Sequence, residues 1–239
     1  MIDAVATEYF TTPPRCSPVE QSLFLEGGLP DCFGSTKAAH RLRSQLITHK
    51  IYRILDARIF QPFLFVPYED HPDADLDSIL SGLSTLIAQK SRRREALWRC
   101  IVLRSNYTSS EGKSTAATVA SVVHRRIMEA LQPVADPDAL APLTAALKGI
   151  VKAAVEIWRR VRVNTDWIHA TLPDTSDAGK SSDEILWVRP QIVREQIGSL
   201  GAQSGEGKTS SVLLEGLCLR RDSSLIQDRE QELAQRLEL

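Results

Sequence analysis

Apolar residues recur along this chain at spacings of three, four and seven, and this pattern restricts its fold more than any other feature. The clearest apolar stripe follows Thr36 and consists of Leu42, Leu46, Ile47, Ile54 and Leu55. Such a stripe covers one side of an α-helix, which must be buried against a neighbour. Ser35 or Thr36 is a suitable N-cap, and Pro62 should end or kink the helix. The sequence therefore predicts a long amphipathic helix from about residue 36.

The same periodicity predicts further helices along the chain. One begins within 69–77, and the others extend over about 92–104, 115–131, 138–169 and 223–237. In the first of these, the spacing predicts a buried face of Leu76, Ile79, Leu80, Leu83, Leu86 and Ile87. The helix over 92–104 is expected to bury Leu97, Trp98, Cys100 and Ile101. Residues 105–114 are polar and typical of a turn.

These elements predict a mainly α fold, an antiparallel helical bundle of four to five main helices without a coiled coil. Two short apolar stretches, Ile185–Val193 and Val212–Leu219, are compatible with a β-hairpin. The predicted organisation is an irregular N-terminal arm at 1–35, a helical bundle domain at 36–170, an acidic linker at 171–184, and an appendage of hairpin plus helix at 185–239 packed on the bundle. A short helix around Gln21–Leu25 fits within the arm.

Composition restricts the cellular compartment and the binding partners that we expect for this chain. It has 239 residues, 43% of them apolar, and a net charge of −1, so no overall charge draws it to nucleic acid or to an anionic membrane. Four scattered cysteines read as reduced, packed thiols: Cys16, Cys32, Cys100 and Cys218. The N-terminus has no secretory pattern, and the longest nearly apolar run, 59–66, is too short to span a bilayer. We expect a cytoplasmic or nuclear protein that does not enter the membrane.

One stretch resembles a chemical motif, the phosphate loop of nucleotide-binding proteins. Residues 202–209 read Ala-Gln-Ser-Gly-Glu-Gly-Lys-Thr, with Ala202 where the pattern requires the first glycine. No β-branched run leads into it, and only 30 residues follow Thr209, too few for the rest of a nucleotide-binding fold. We interpret Gly207, Lys208 and Thr209 as a decoy in a flexible Gly/Ser loop, and we expect no cofactor.

Other partial motifs also fail. A calcium loop could open with Asp73, Asp75 and Asp77, but Ser78 and Ser84 stand where Gly and Glu are needed. Ser110 and Lys113 fit S-x-x-K without its companion elements. The histidines outside the acidic stretch lie in predicted helices without metal-ligand spacing: His40, His49, His124 and His169. The sequence therefore predicts neither a catalytic residue nor a metal site.

Clusters of basic residues are the remaining candidate for binding. Residues 90–104 carry six basic residues, among them Lys90, Arg92, Arg93 and Arg94, against one acid, and residues 36–60 have the same balance. If these faces converge, they form a strip that could hold phosphate backbone or an acidic peptide. The alternative is that they face the acidic segments 69–77 and 164–184 within the fold. Residues 90–94 also fit a nuclear import signal.

Four segments resemble a family of filamentous-fungal proteins with no assigned activity. They are Arg58–Phe65, Arg92–Arg99 with Leu103 and Arg104, Val151–Arg159, and Leu217–Ser224. The likeness covers most of residues 40–237, and its motifs are apolar and aromatic helix signatures. It implies that this region is the structured C-terminal part of longer chains, and it implies no function or site.

Three functions follow from these observations, in order of preference. The first is a non-enzymatic helical domain that binds an unknown protein partner, because amphipathic helices are present and no catalytic constellation is. The second is a nucleic-acid-binding module that uses the basic helix faces. The third is a nucleotide binder that uses Lys208.

Overall fold

The computed structural model describes residues 1–14, 17, 21, 24–25, 29–63, 76–173, 183–196 and 209–237. Its helices are α1 (Ile2–Tyr9), α2 (Lys37–Arg58), α3 (Leu76–Lys90), α4 (Arg92–Thr108), α5 (Ser110–Leu131), α6 (Leu140–Arg162) and α7 (Ser224–Leu237). Its strands are β1 (Trp167–Thr171), β2 (Glu184–Arg189), β3 (Gln191–Gln196), β4 (Thr209–Leu214) and β5 (Leu217–Arg220). The prediction of a mainly helical fold with a small antiparallel β component towards the C-terminus is confirmed.

Helix α2 is the central element of the core. Its predicted start is confirmed, because Thr36 caps the helix by accepting a hydrogen bond from Ala39 N at 3.3 Å. It ends at Arg58, before Pro62. The helix packs against α1, α5, α7 and β2. Its buried apolar face comprises Leu42, Leu46, Ile47, Ile51 and Leu55.

The first residues are more regular than predicted, because α1 packs on α2 and buries Ile2 and Val5. A fully buried arginine on α2, Arg43, fixes this arm. Its guanidinium donates to the carbonyl oxygens of Phe10 at 3.0 Å, Thr11 at 3.0 Å, Cys32 at 2.8 Å and Gly34 at 3.2 Å. A planar group with five donors can hold several carbonyls at once, so one side chain ties two parts of the arm to the helix.

A second buried arginine, Arg229, joins α7 to the start of α2. It donates to Glu232 Oε2 at 3.0 Å and to Thr36 Oγ1 at 3.2 Å, and it lies 3.3 Å from Asp31 Oδ2. Thr36 also donates to Glu232. Gly34 leaves room for this cluster, since a Cβ there would lie 3.0 Å from the Arg229 guanidinium. The closing helix is thus held by polar contacts as well as by buried Leu225 and Ile226.

The predicted turn at 105–114 is wrong, because α4 and α5 are separated by Ser109 alone. Ser109 Oγ accepts a hydrogen bond from Gly112 N at 2.9 Å and so caps α5. The two helix ends meet very closely, since a Cβ on Gly112 would lie 1.7 Å from Asn106 O. A polar sequence with a capping serine and a glycine is therefore a tight helical corner here.

The helix predicted over 138–169 is too long, because its last residues belong to a strand. Helix α6 ends at Arg162, and Asn164 Oδ1 then accepts from Asp166 N at 3.1 Å, a side-chain turn that reverses the backbone. Strand β1 follows and contains His169, which the sequence had assigned to a helix. The apolar face that α6 buries includes Leu143, Leu147, Ile150, Val151 and Trp158.

The strands form two antiparallel sheets. One has the order β1-β3-β4, and the other pairs β2 with β5. The antiparallel pairing expected of a hairpin is confirmed, since β3 pairs with β4 and β2 with β5, but each apolar stretch divides into two strands that join different sheets. Pro190, which has no N–H to donate, separates β2 from β3. Gly216 lies before β5, where a Cβ would approach the Trp187 ring to 2.7 Å.

Candidate interaction surface

Helices α3 and α4 form a hairpin with Ser91 at its tip. Ser91 Oγ accepts from Arg94 N at 3.3 Å and caps α4. The two helices meet through a buried hydrogen bond from Ser84 Oγ to Glu95 Oε1, 2.7 Å long. Helix α3 packs mainly against α4. Among the described residues, α4 is thus the main neighbour of α3, and many side chains of α3 are exposed.

The face predicted to be buried on α3 is largely exposed, and that prediction is wrong. We define the apolar stripe as Ile79, Leu83 and Leu86 of α3 together with Leu97 and Ile101 of α4. These five side chains are 45% to 71% exposed. Leu97 and Ile101 were also predicted to be buried, whereas Cys100 is buried as predicted and Trp98 is half-buried.

The reason for the error is the width of the apolar face. The apolar positions of α3 span more of the helix surface than one neighbouring helix can cover. The row of α3 that faces α4 contains Leu80, Ser84 and Ile87. The fully buried residue of this row is the serine. The adjacent row remains exposed. Five large apolar side chains on one helical hairpin exceed the scattered exposure that is normal for a protein surface.

Among the described side chains of this hairpin, the exposed charges are all of one sign. Between residues 78 and 108 they are Lys90, Arg92, Arg93, Arg94 and Arg104. The acid in this range, Glu95, is buried against Arg99 at 3.0 Å. We call Lys90, Arg92, Arg93 and Arg94 the basic tip, because the end of α3 and the start of α4 bring them together there. The residues predicted to contact a partner are thus exposed and lie close together in the structure.

The basic tip opposes the dipole of its own helix. The first turn of α4 contains Arg92, Arg93 and Arg94, and its one acid, Glu95, is paired with Arg99. Positive charge near a helix N-terminus is unfavourable because the unpaired backbone N–H groups already carry partial positive charge. Arg92 is partly compensated by Glu195 of β3, 2.7 Å away. An acidic group bound here would relieve the remaining repulsion.

Several other arginines are buried or paired and do not extend a basic strip across the surface. Arg43, Arg99 and Arg162 are buried. Arg99 donates to the carbonyls of Arg162 at 2.9 Å and Asn164 at 3.1 Å, so its charge serves the corner after α6. Arg159 and Arg160 both pair with Glu156, at 3.3 Å and 3.0 Å. A continuous strip built from these residues is therefore excluded.

The other sequence candidates contribute little to a site. Gly207 and Lys208 lie outside the described residues, and Thr209 opens β4, so the decoy interpretation stays a prediction. Asp73 and Asp75 also lie outside them. Within the described ranges no group of three or more potential metal ligands occurs. Burial raises the pKa of the Cys32 thiol to about 12, which keeps it protonated and unreactive.

No family model matches the chain, and neither the curated proteins nor the solved structures include a significant match. The likeness to the fungal family therefore stays a prediction. Among the helices described, none has both the length and the apolar composition that crossing a bilayer requires.

Proposed function

We propose that this chain is a protein-interaction module, that the α3–α4 hairpin is its docking surface, and that the partner is an acidic amphipathic helix. The apolar stripe is the observation that carries the proposal. Exposed leucine and isoleucine side chains spaced by four and three along α3 suit the apolar face of another helix. Burying such side chains is the main source of affinity in helix-in-groove recognition.

The charge of the hairpin indicates the sign of the charge that its partner carries. Every exposed charged side chain between residues 78 and 108 is basic, and three of them lie in the first turn of α4. Aspartate or glutamate on the partner would be attracted by both the side chains and the helix dipole. A basic partner would be repelled. We therefore infer that acidic residues flank the apolar face of the partner.

Nucleic acid is the runner-up partner, and the apolar stripe weighs against it. Phosphate contacts require cations or backbone N–H groups, whereas the side chains of Ile79, Leu83 and Leu86 have no group that binds a phosphate. We place the interaction in the cytoplasm or nucleus, where thiols such as those of Cys32 and Cys100 stay reduced. The bundle of four to five main helices also stays a proposal, which the packing of α5 on α2, α4 and α6 supports.

The test is fluorescence polarisation with a labelled, helix-stapled peptide that carries leucines at i, i+4 and i+7 and glutamates elsewhere. We expect binding that weakens about tenfold in Leu83→Ser, because a central apolar contact is lost. The double variant Arg93→Glu/Arg94→Glu should slow association and reverse its dependence on salt. A peptide of equal composition but scrambled spacing should not bind.

Matched controls separate these effects from general loss of folding. Ile157→Ser removes an apolar side chain that is 60% exposed on α6, and Arg125→Glu reverses a charge on α5. Both should bind like the wild type. Tighter binding of a DNA or RNA duplex than of the acidic peptide, or equal losses in Leu83→Ser and Ile157→Ser, would overturn the proposal.

A further inference from the structure

A second feature, independent of the docking surface, is a cavity of about 210 Å³ between the end of α2, helices α4 and α6, and β1. It is smaller than the roughly 300–1,000 Å³ of pockets that hold drug-sized ligands. None of the apolar-stripe residues lines it. The side chains that matter are Asp56, Phe60, Arg99, Trp158, Trp167 and His169.

Aromatic rings form the walls of this cavity and are held in place. Phe60 and Trp158 pack with their ring centroids 4.8 Å apart. The indole N–H of Trp158 donates to Gln61 O at 3.1 Å, which fixes the ring. The Trp167 ring lies 4.9 Å from the Arg99 guanidinium, which stacks on it. Such fixed π surfaces favour a flat ligand.

The cavity lining includes polar groups to which a ligand could bind. They are the Asp56 carboxylate and the imidazole of His169, whose buried Nδ1 has no partner in the part of the chain that the structure describes. Burial raises the pKa of Asp56 to about 6, and the charge of Arg53 acts in the opposite direction. A buried group left without a partner, such as Nδ1 of His169, is costly and calls for an explanation.

The charges around the cavity favour a neutral ligand. Arg99 and Arg162 are buried in its wall and oppose a cation. Arg99 already donates to Glu95 and to backbone carbonyls, and Arg162 donates to Ile59 O, so these donors serve the fold. Asp56 opposes an anion. The group that the carboxylate can accept from is an uncharged N–H donor.

We propose that this cavity binds a small, planar, neutral nitrogen heterocycle that presents two adjacent N–H donors to Asp56. The ring stacks within the walls formed by Phe60, Trp158 and Trp167. A carboxylate accepts two parallel N–H bonds from such an edge, as it does from a guanidinium. His169 adds a further hydrogen bond, whose direction depends on its tautomer.

The probe is isocytosine, which carries the paired N–H edge on a single ring. Titration followed by ¹H–¹⁵N NMR of the indole groups should shift the signals of Trp158 and Trp167 and leave Trp187 of β2 unchanged. Assignment by Trp→Phe substitution identifies each signal. Uracil has the same ring size and lacks the amino group, so it should bind at least tenfold more weakly.

The Asp56→Asn variant decides the role of the carboxylate. It should weaken isocytosine binding about tenfold, whereas Asp138→Asn, at an exposed position, should leave it unchanged. Equal binding by wild type and Asp56→Asn would overturn the proposal. Preference for benzoate would overturn it too, because the buried arginines would then select an anion. Absence of any shift with isocytosine at millimolar concentration would also refute it.

Discussion

Asp56 is a carboxyl group that the fold holds in an unfavourable place. It is half-buried near the end of α2, and burial raises its pKa from 3.8 to about 6. The folded state therefore binds its proton more tightly than the unfolded state does. This residue lowers the free energy of unfolding progressively as the pH rises from about 4 through 6. The cost is fully present at neutral pH.

We therefore expect Asp56→Asn to stabilise the protein at pH 7. A shift of this size corresponds to about 3 kcal/mol, which solvent screening of a half-exposed group reduces to about 1 kcal/mol. The gain should shrink as the pH falls through 6 and vanish near 4. Urea unfolding of both proteins between pH 4 and pH 8 measures it. A destabilised variant at pH 7 would show that Asp56 has a favourable partner.

The buried arginines could not be recognised from the sequence pattern around them. Arg43, Arg99, Arg162 and Arg229 are all buried, yet nothing in their sequence neighbours distinguishes them from the exposed Arg93 and Arg94. Their role depends on carbonyl groups brought close by distant parts of the chain, such as Phe10 and Cys32 around Arg43. Helix periodicity carries no information on those contacts.

At the scale of elements, the corner between α4 and α5 depends on Gly112. We expect Gly112→Ala to destabilise the protein by about 3 kcal/mol, because its Cβ would overlap the backbone oxygen of Asn106 at 1.7 Å and neither helix end can move without repacking. Chemical denaturation measures this loss.

Gly149 of α6 is the matched control for Gly112. It also lies within a helix, but a Cβ there would meet nothing within 4 Å. Gly149→Ala should therefore stabilise the protein by about 0.5–1 kcal/mol through helix propensity alone. Similar effects of the two substitutions would contradict the close approach at the corner.

Helices were predicted correctly where a single apolar stripe packs against the core. The spacing of Leu42, Leu46, Ile47 and Leu55 placed α2 correctly, and Thr36 marked its start. Prediction failed for α3, whose wide apolar face exceeds what α4 covers, and for β1, where a turn at Asn164 ends the preceding helix. In both cases the deciding fact was a neighbour or a turn whose geometry lies outside the periodicity.

On the scale of the whole molecule, most of the candidate site escaped prediction from sequence for the same reason. Lys90, Arg92, Arg93 and Arg94 were recognisable as a cluster, and the structure keeps them exposed. The apolar residues beside them were expected in the core. The combination of an exposed apolar stripe with a basic tip exists only because α3 lies outside the packed core and contacts mainly α4.

The measurement that tests the docking surface most directly is site-specific photo-crosslinking in the cells that express the protein. A benzoylphenylalanine at Leu83, on the apolar stripe, should crosslink to a protein segment that is amphipathic and acidic, and Arg93→Glu/Arg94→Glu should abolish this product. The same probe at Ile157, which is 60% exposed on α6, should not yield it. Crosslinks from Leu83 to nucleic acid, to a basic segment, or only back into its own chain would contradict the proposal.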